Sequence, residues 1–411
     1  MSVRQRTWTT PTGDTRSAWV ADYFDQAGKR RHKTFRLKKD ALTFVQKASV
    51  EVRAGVHVAD SASITVAAAG ENWLGSGAAA GLEVTTMDQR RQHLKLHINR
   101  FIGSTLLSRL SVPAVREFED KLRASGRSPA MIKKVIGSLG SIFADAQERG
   151  HVMRNPVRDM RVRRSSVDRR AEKRSKGRLK VGVDIPATHE VRAIVEAAQG
   201  RWRPFFVTAV FTGMRSSELR GLRWQDVDLD RREIKIHQRA DKYGCIGRPK
   251  SEAGERTIPV PPMVINVLRE WRLACPHRRT CENATASQYI KEPYLVFPNG
   301  HGGVENHANI INRGWHPLQV EAGVIAPQEV GLADLRAKYT GLHSLRHFYA
   351  SWLINRREDG GLGLPAKLVQ ERLGHSSITM TMDTYGHLFP REDDADELAA
   401  AEALLLGKSA T

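Results

Sequence analysis

Hydrophobic residues recur every three or four positions through residues 61–160, which is the spacing of one face of an α-helix. Ser128 followed by Pro129 predicts the start of the longest helix in this stretch, and Gly150 and Pro156 mark its end. We therefore predict a compact all-α domain over residues 61–160. The prediction depends on Leu94, Ile98, Phe101 and Ile102, on Val115, Phe118 and Leu122, and on Ile132, Val135, Ile136, Leu139, Ile142 and Phe143.

Residues 1–60 show a different pattern, with strand composition over 17–24 and 31–37 and a turn at 26–29. Asp40 then begins an apolar helical stripe that runs to Val52. This pattern predicts a small basic α+β domain. Either the sheet lies in a DNA groove, or the domain is a cap with a solvated basic face. The candidate DNA contacts are Lys29, Arg30, Arg31 and Lys33.

A third domain is predicted over residues 183–390, mixed in composition but mainly helical. Thr188 and Glu190 read as the cap and first turn of a helix. After Gly213, Ser216 or Ser217 can cap another helix. Strands are expected over 232–237, 255–260 and 294–297, with Lys250 at the tip of a hairpin formed by the first two. The fold class is therefore multidomain and mainly α, with small β-sheets.

The charge of the chain favours a polyanionic partner. Lys and Arg outnumber Asp and Glu by 65 to 45, so the net charge is +20, and such an excess points to nucleic acid. The bland alternative is a generically basic soluble protein. Residues 161–182 read as an extended basic linker that can wrap a duplex, although a purely solubilising run is the alternative. Its candidate DNA contacts are Arg161, Arg163 and Arg164, and those of the helical domain are Lys133 and Lys134.

The remaining composition bears on compartment, metal and assembly. No run reaches the ~20 apolar residues of a membrane helix, no secretion signal is recognisable, and three cysteines favour a reducing compartment. Cys275, His277 and Cys281 match no common zinc spacing, so we expect free thiols and no metal. Residues 391–411 form an acidic tail that contacts either another protomer or its own domain.

The chemistry concentrates between Gly341 and Leu388. His343 and Arg346 share a helix face. Gly374 can end a helix before His375, Ser376 or Ser377 can cap the next helix, and Tyr385 follows ten residues after His375. Joined with Arg215 and Lys250, these residues could bind a phosphodiester, attack it through the tyrosine and protonate the leaving oxygen. The histidines would share the phosphate's hydrogen bonds and move the tyrosine proton. Each residue alone also has a purely structural interpretation. Arg215 could form an ion pair with Glu218, and Tyr385 could be a half-buried core aromatic.

As a set, these motifs resemble the tyrosine recombinases of the phage integrase family. The matching segments are Thr212–Leu219, Pro249–Ser251, His343–His347, Leu373–Ser377 and Asp383–His387. The resemblance implies that Arg215 and Arg346 are the catalytic arginines, with Lys250, His343 and His375 beside them. It makes Tyr385 the nucleophile and Glu218 a supporting acid. Ser344 and Phe348 depart from the usual Asp and Thr, which affects only surrounding hydrogen bonds.

The resemblance also implies domains, partners and an activity. Residues 61–160 resemble the core-binding domain, and residues 1–60 resemble the arm-binding domain of the longer integrases. A site-specific recombinase of this kind joins duplex DNA through a 3′-phosphotyrosine and a four-way junction. It works as a homotetramer without metal, ATP or other cofactor, in the cytoplasm of a bacterial host. An excisionase-type directionality factor and a host DNA-bending protein are further possible partners. The alternatives are a type IB-like topoisomerase and a non-cutting DNA-binding regulator.

Overall fold

The computed structural model describes residues 1–25, 28–55, 63–160, 178–276, 294–327, 335–390, 402–403 and 405–406. The chain forms two compact units, Met1–Ser165 and Ser166–Thr411. It is multidomain and mainly helical with small antiparallel sheets, which confirms the predicted fold class. Within the described ranges, no helix has the length and apolar character that crossing a membrane requires. The candidate contacts Arg161, Arg163 and Arg164, together with Cys281 and nearly all of the acidic tail, lie outside these residues.

The first unit begins with a three-stranded antiparallel sheet in the order β1-β2-β3, followed by helix α1. A bundle of helices comes next, with a π-helical turn at Leu94–Ile98 between α3 and α4. The elements are β1 Ser2–Thr9, β2 Thr15–Phe24, β3 Arg30–Phe35, α1 Lys38–Arg53, α2 Val66–Ala79, α3 Val84–His93, α4 Asn99–Ile102, α5 Val112–Ala124, α6 Pro129–Glu148 and α7 Pro156–Asp159.

One face of the N-terminal sheet packs on α1 and the other is open. Tyr23 and Phe35 contact Phe44 of α1 edge-on or tilted, with ring centroids 5.3 Å apart in both pairs. Trp19 pairs with Phe35 across β2 and β3, and Gln5 pairs with Trp19 across β1 and β2. Since side chains alternate along a strand, even-numbered residues of β1 and β2 lie on the open face. That face therefore carries Arg4, Arg6, Trp8 and Arg16.

The helical part of this unit is built on the predicted apolar series. Buried side chains from α5 and α6 meet those of the π-helical turn in one core. The Ser128 hydroxyl accepts a hydrogen bond from the Met131 N–H, and Pro129 is the first residue of α6, as predicted. The core residues are Leu94, Ile98, Ile102, Val115, Phe118, Leu122, Ile132, Val135, Leu139, Ile142 and Phe143.

The second unit mixes helices with two small antiparallel sheets, β4-β5-β8 and β6-β7. A π-helical turn, Ile310–Trp315, joins α12 to α13. The elements are α8 Thr188–Ala197, α9 Trp202–Thr212, α10 Ser216–Gly221, β4 Val227–Asp228, β5 Glu233–Ile236, β6 Arg239–Ala240, β7 Ile246–Gly247, β8 Arg256–Pro259, α11 Pro262–Ala274, α12 His307–Asn309, α13 His316–Glu321, α14 His343–Ile354, α15 Ala366–Leu373 and α16 Ile378–Tyr385.

The core of the second unit surrounds α9, whose apolar stretch is buried almost throughout. The rings of Phe205 and Phe206 are 5.3 Å apart, and Phe206 lies 5.5 Å from Trp315. Helix α9 ends at Gly213, which has a φ of 57°. A Cβ at this glycine would lie 2.3 Å from the Tyr349 ring of α14, so the turn requires glycine for its conformation and for its close packing. This turn leads directly into α10.

Three local predictions in this unit, apart from the cap of α10, are wrong. The N-cap of α8 is Ala187, whose N–H the Glu190 carboxylate accepts, so Thr188 is already helical. Residues 294–297 form no strand, because Leu295 makes only an isolated bridge to Arg223. Lys250 does not lie at a hairpin tip, because a short β6-β7 hairpin is inserted between β5 and β8. Lys250 instead lies in the segment that leads from β7 to β8.

Candidate active site

A cavity of about 680 Å³ in the second unit brings together four of the predicted site residues. Arg215, Lys250, His343 and Arg346 all line it, although they come from three separate stretches of the sequence. The supporting acid Glu218 also lines the cavity. Other lining residues include Arg239, Ser251, His307, Ser376 and Met380. His375 and Tyr385 are not among the lining residues and lie behind its wall.

Arg215 is held at the start of α10 by Glu218. The Glu218 carboxylate accepts the Arg215 backbone N–H at 2.9 Å and its Nη1 at 2.8 Å. Arg215 is therefore the N-cap residue, and neither Ser216 nor Ser217 caps this helix as predicted. The Arg215 Nη2 donates to the carbonyl oxygen of Gly374, just after α15. The guanidinium is thus oriented by one carboxylate and one carbonyl.

Arg256 is a member of this network that the sequence analysis did not identify. Its Nη2 donates to Glu218 Oε2 at 2.9 Å and its Nη1 to Glu218 Oε1 at 3.2 Å. Its Nε donates to the carbonyl oxygen of Arg372 at 2.9 Å. Burial raises the pKa of Glu218, but the charges of Arg256 and Arg215 outweigh it and lower the pKa to about 2. Glu218 is therefore charged at neutral pH and acts as a clamp on the guanidinium groups of Arg215 and Arg256.

Arg346 is one of the most deeply buried charged residues of this unit, with 2% of its surface exposed. Its Nη1 donates to the Gly213 carbonyl oxygen at 2.8 Å, and its Nη2 donates to that of Leu373. Burial, followed by the charges of Arg215 and Arg256, lowers the pKa of Arg346 to about 9. The group remains protonated at neutral pH. Each guanidinium has five N–H groups, and Arg215 and Arg346 each use two, so donors remain for an anion.

The two predicted histidines occupy different positions. His343 lines the cavity, and burial together with the charges of Arg346 and Arg215 lowers its pKa. His375 lies behind the wall, and its Nδ1 is 2.9 Å from the Thr381 hydroxyl oxygen. Burial and the nearby arginines lower the pKa of His375 to about 3. Its ring stacks parallel to that of Tyr385, with centroids 6.3 Å apart. Both histidines are therefore neutral at physiological pH.

Tyr385 ends α16 and is buried, with 1% of its surface exposed. Its ring belongs to a core cluster with Leu353, Val369 and Leu373. Its hydroxyl oxygen lies 2.8 Å from Nδ1 of His347. Burial raises the pKa of Tyr385 to about 12 even though Arg346 and Arg215 lower it in part. The tyrosine is thus neutral and close to both arginines, but it does not face the cavity.

Gly374 and Ser377 shape the turn between α15 and α16. Gly374 ends α15 with a φ of 65°, and the Ser377 hydroxyl accepts the Met380 N–H at the start of α16, as predicted. A Cβ at Gly374 would lie 2.8 Å from the Ala253 carbonyl oxygen and from Arg256 Nη1. The position therefore requires glycine, since one neighbour is main chain and the other is a guanidinium held by Glu218.

The tentative DNA contacts of the first unit have mixed placements. Arg30 is on the open face of the sheet and pairs with Asp22. Arg31 pairs with Asp25 at 2.8 Å, and Lys33 lies over the Phe44 ring, so both lie on the α1 side and not on the open face. Lys29, Lys133 and Lys134 are exposed. The open face instead presents Arg4, Arg6 and Arg16, which sequence analysis missed.

Removing the Glu218 charge is expected to destabilise the second unit. Glu218→Gln leaves the buried Arg256 guanidinium without its counter-ion, which should cost roughly 3–5 kcal/mol. A lowered folded-state pKa means that the wild-type contribution is present above the unfolded pKa near 4.5 and is lost as pH falls toward 2. Thermal unfolding at pH 7 and pH 3 measures both effects, and the difference between the wild type and the variant should be smaller at the lower pH.

The matched control is Glu371→Gln, which removes an exposed carboxylate paired with Lys367 one helical turn away. That substitution should change stability by no more than ~0.5 kcal/mol. Equal unfolding temperatures for the two variants would show that the Glu218 clamp does not stabilise the fold.

Known proteins are similar to this chain over much of its length. Residues 187–392, half of the chain, match the phage integrase family. A "Tyrosine recombinase XerC-like" protein of Caldanaerobacter subterraneus subsp. tengcongensis is 26% identical over 387 residues, covering 90% of this chain and 91% of its own. The ICEBs1 integrase of Bacillus subtilis is 23% identical over 331 residues, covering 78% and 80%.

Solved structures of integrases share the fold. The Tn1549 transposon integrase in complex with a circular intermediate DNA matches with a TM-score of 0.59 at 20% identity, over 83% of this chain and 100% of that one. A lambda integrase dimer bound to a COC′ core site matches with a TM-score of 0.54 at 16% identity, over 94% and 97%.

The family match and the similar recombinases together identify the chain as a tyrosine-type site-specific recombinase. The chain belongs to the phage integrase family.

Proposed function

We propose that this recombinase cleaves and rejoins DNA through a covalent bond between Tyr385 and a 3′-phosphate. The observation that carries the proposal is the fixed pair of guanidinium groups, Arg215 and Arg346, which line one cavity with Tyr385 directly behind it. Two guanidinium groups with free N–H donors match the non-bridging oxygens of a phosphodiester. They also stabilise the charge that develops as an oxygen adds to phosphorus.

The remaining cavity residues fit the other steps of the reaction. Lys250 is exposed at the cavity, where its ammonium can protonate the departing 5′-oxygen. His343 is neutral and can hydrogen-bond a phosphate oxygen. The phosphotyrosine conserves the energy of the broken bond, so the 5′-hydroxyl of another strand can displace Tyr385 without ATP.

We also propose that recombination involves several copies of the chain on duplex DNA. A lambda integrase tetramer bound to a Holliday junction matches this chain with a TM-score of 0.52 at 18% identity, over 94% of this chain. The net charge of +20 supports binding to DNA. Exchange of two pairs of strands through a four-way junction needs four tyrosines and therefore four protomers. An excisionase-type factor and a host DNA-bending protein would set the direction of the reaction.

A nicked substrate tests the covalent step. Duplexes that the protein binds are first selected from random DNA. A nick is then placed so that cleavage releases a short fragment with a free 5′-hydroxyl, which diffuses away. The expected result is a protein–DNA adduct that survives denaturation. Absence of an adduct on every selected duplex would overturn the proposal. Strand exchange between two duplexes, as opposed to relaxation of supercoils alone, separates a recombinase from a topoisomerase.

For residues 1–60 we propose binding to a second, distant class of DNA site through the open face of the sheet. The face offers Arg4, Arg6 and Arg16, with Trp8 beside them, while α1 covers the opposite face. A narrow antiparallel sheet fits the major groove, where arginine recognises guanine and phosphate. Residues 61–160, with exposed Lys133 and Lys134, would hold the core site where strands are exchanged.

Charge removal on the open face tests this assignment. The double variant Arg4→Gln/Arg6→Gln should weaken binding to the distant sites by about tenfold or more and lower the salt dependence by about two phosphate contacts. Binding to core sites should not change. The control Lys39→Gln/Arg53→Gln removes the same charge from exposed positions of α1. If both double variants weaken distant-site binding equally, only net charge matters and the face is not the contact surface.

A further inference from the structure

We infer that His347 is a further catalytic residue, which accepts the hydroxyl proton of Tyr385 as the tyrosine attacks DNA. This inference rests on the proposed function of Tyr385. It gives a role to the last residue of the matching segment His343–His347, which the resemblance did not include among the site residues. In the part of the chain that the structure describes, the Tyr385 hydroxyl makes one side-chain hydrogen bond, the 2.8 Å contact with His347 Nδ1. The two rings meet edge to face with centroids 5.7 Å apart.

The direction of this hydrogen bond follows from the burial of Tyr385. If Nδ1 carried the proton, the Tyr385 hydroxyl would be left without an acceptor in the described surroundings. A buried hydroxyl without an acceptor costs about 1–3 kcal/mol. The favoured arrangement therefore has the tyrosine donating to an unprotonated Nδ1, with the His347 proton on Nε2. In that tautomer Nδ1 offers a lone pair to the proton that must leave.

The other histidines are less well placed to take this proton. His375 Nδ1 is occupied by Thr381, and its ring lies parallel to the Tyr385 ring, offset from the hydroxyl. His343 is at the cavity, where it faces the phosphate site, and its ring contacts His347 with centroids 4.5 Å apart. Glu218, the nearest carboxylate of the network, is held by Arg256 and Arg215. His347 is thus the base in direct contact with the nucleophile.

The charges around His347 prevent it from taking the Tyr385 proton until DNA binds. Burial, followed by the neighbouring His343 imidazole and the positive charge of Arg346, lowers the pKa of His347 to about 4, while Asp184 raises it in part. The proton therefore stays on Tyr385 in the free protein. A bound phosphodiester supplies negative charge beside Arg346, which raises the basicity of the imidazole. As the tyrosine oxygen bonds to phosphorus, it also becomes more acidic, so transfer becomes favourable during attack.

The step is balanced in both directions. The tyrosine O–H bond breaks and the proton moves to Nδ1 of His347, while the tyrosine oxygen forms a bond to phosphorus. The bond from phosphorus to the 5′-oxygen breaks, and that oxygen receives a proton from Lys250. On rejoining, Lys250 recovers a proton from the attacking 5′-hydroxyl, and His347 returns its proton to Tyr385. The tyrosine must advance toward the cavity, since its hydroxyl lies behind the wall in the free protein.

The test compares single-turnover adduct formation on the nicked substrate between pH 5.5 and pH 9 for the wild type and His347→Asn. The asparagine Oδ1 can accept the same hydrogen bond but cannot take a proton. We expect adduct formation about 10²-fold slower at pH 7, with DNA binding and thermal unfolding near wild-type values. The rate of the variant should rise with pH as hydroxide replaces the base, whereas the wild-type profile stays flatter. The smaller variant His347→Ala should recover activity with added imidazole.

Other outcomes separate the role of His347 from the proposed function of Tyr385. An adduct in the wild type, combined with a His347→Asn rate equal to or above it, overturns the role of His347 and leaves the proposed function intact. A slow variant whose pH profile runs parallel to the wild type indicates a structural role and also overturns it. If His347→Asn does not fold, imidazole rescue of His347→Ala decides the question. Absence of an adduct in the wild type overturns the proposed function itself.

Discussion

Tyr385→Phe is expected to reduce formation of the protein–DNA adduct to background while leaving the fold and DNA binding unchanged. Phenylalanine keeps the ring that packs with Leu353 and Leu373 and removes only the hydroxyl oxygen. No other atom of the residue can form the phosphoester bond, so the loss of activity is complete. Loss of the hydrogen bond to His347 should lower the free energy of unfolding by about 1 kcal/mol, which is too little to unfold the protein. Gel analysis of denatured reactions and a binding assay on the same duplex measure both expectations.

Tyr349→Phe provides the matched control. Tyr349 is also buried, belongs to the same core cluster and loses the same hydroxyl group in the variant. It lies on α14 facing Gly213 and does not contact the cavity. Adduct formation by Tyr349→Phe should stay within a few-fold of wild type. An adduct that persists in Tyr385→Phe and disappears in Tyr349→Phe would move the nucleophile to the other tyrosine.

Arg346→Lys is expected to slow adduct formation by about 10²–10³-fold, the effect of removing one preorganised donor at a developing charge. Lysine keeps a positive charge but has a single nitrogen. That nitrogen cannot reach the carbonyl oxygens of Gly213 and Leu373 and still donate twice to a phosphate. A lysine ammonium at this buried position also deprotonates more readily than a guanidinium. Single-turnover rates at saturating protein isolate the chemical step from binding.

Arg313→Lys makes the same change at an exposed position of the π-helical turn outside the cavity. It should leave the rate and the binding constant within twofold of wild type. A rate for Arg346→Lys within a few-fold of wild type would show that charge alone suffices and that fixed bidentate geometry does not contribute to catalysis.

Local sequence signals predicted much of the helical architecture. The apolar series of residues 61–160 became one core because a helix repeats every 3.6 residues, and that spacing needs no tertiary information. Gly374 and Ser377 were predictable for the same reason, since a left-handed helix end and a side-chain cap are local requirements. The motifs around Arg215 and Arg346 also identified the residues that the fold brings to one cavity.

The errors have a common cause in long-range contacts. Arg256 has no local motif, and its role appears only when β8 packs beside α10 and α15. The segment at 294–297 is buried, but among the described residues it pairs with no strand and makes only the bridge from Leu295 to Arg223. His347 is different, because it is one helical turn from His343 and could have been included on that spacing alone. Its contact with Tyr385 joins residues 38 positions apart, which no local pattern shows.

The end of α15 has a consequence for how such sequences diverge. Three arginines each donate to one of three consecutive backbone carbonyl oxygens. Arg256 donates to that of Arg372, Arg346 to that of Leu373 and Arg215 to that of Gly374. Because every amino acid carries a carbonyl oxygen, these contacts constrain the path of the main chain and do not use the side chain of Arg372. Substitutions at exposed positions of the helix can therefore accumulate without moving the arginines. Such a framework separates the geometry of the arginines from the identity of the exposed side chains around them.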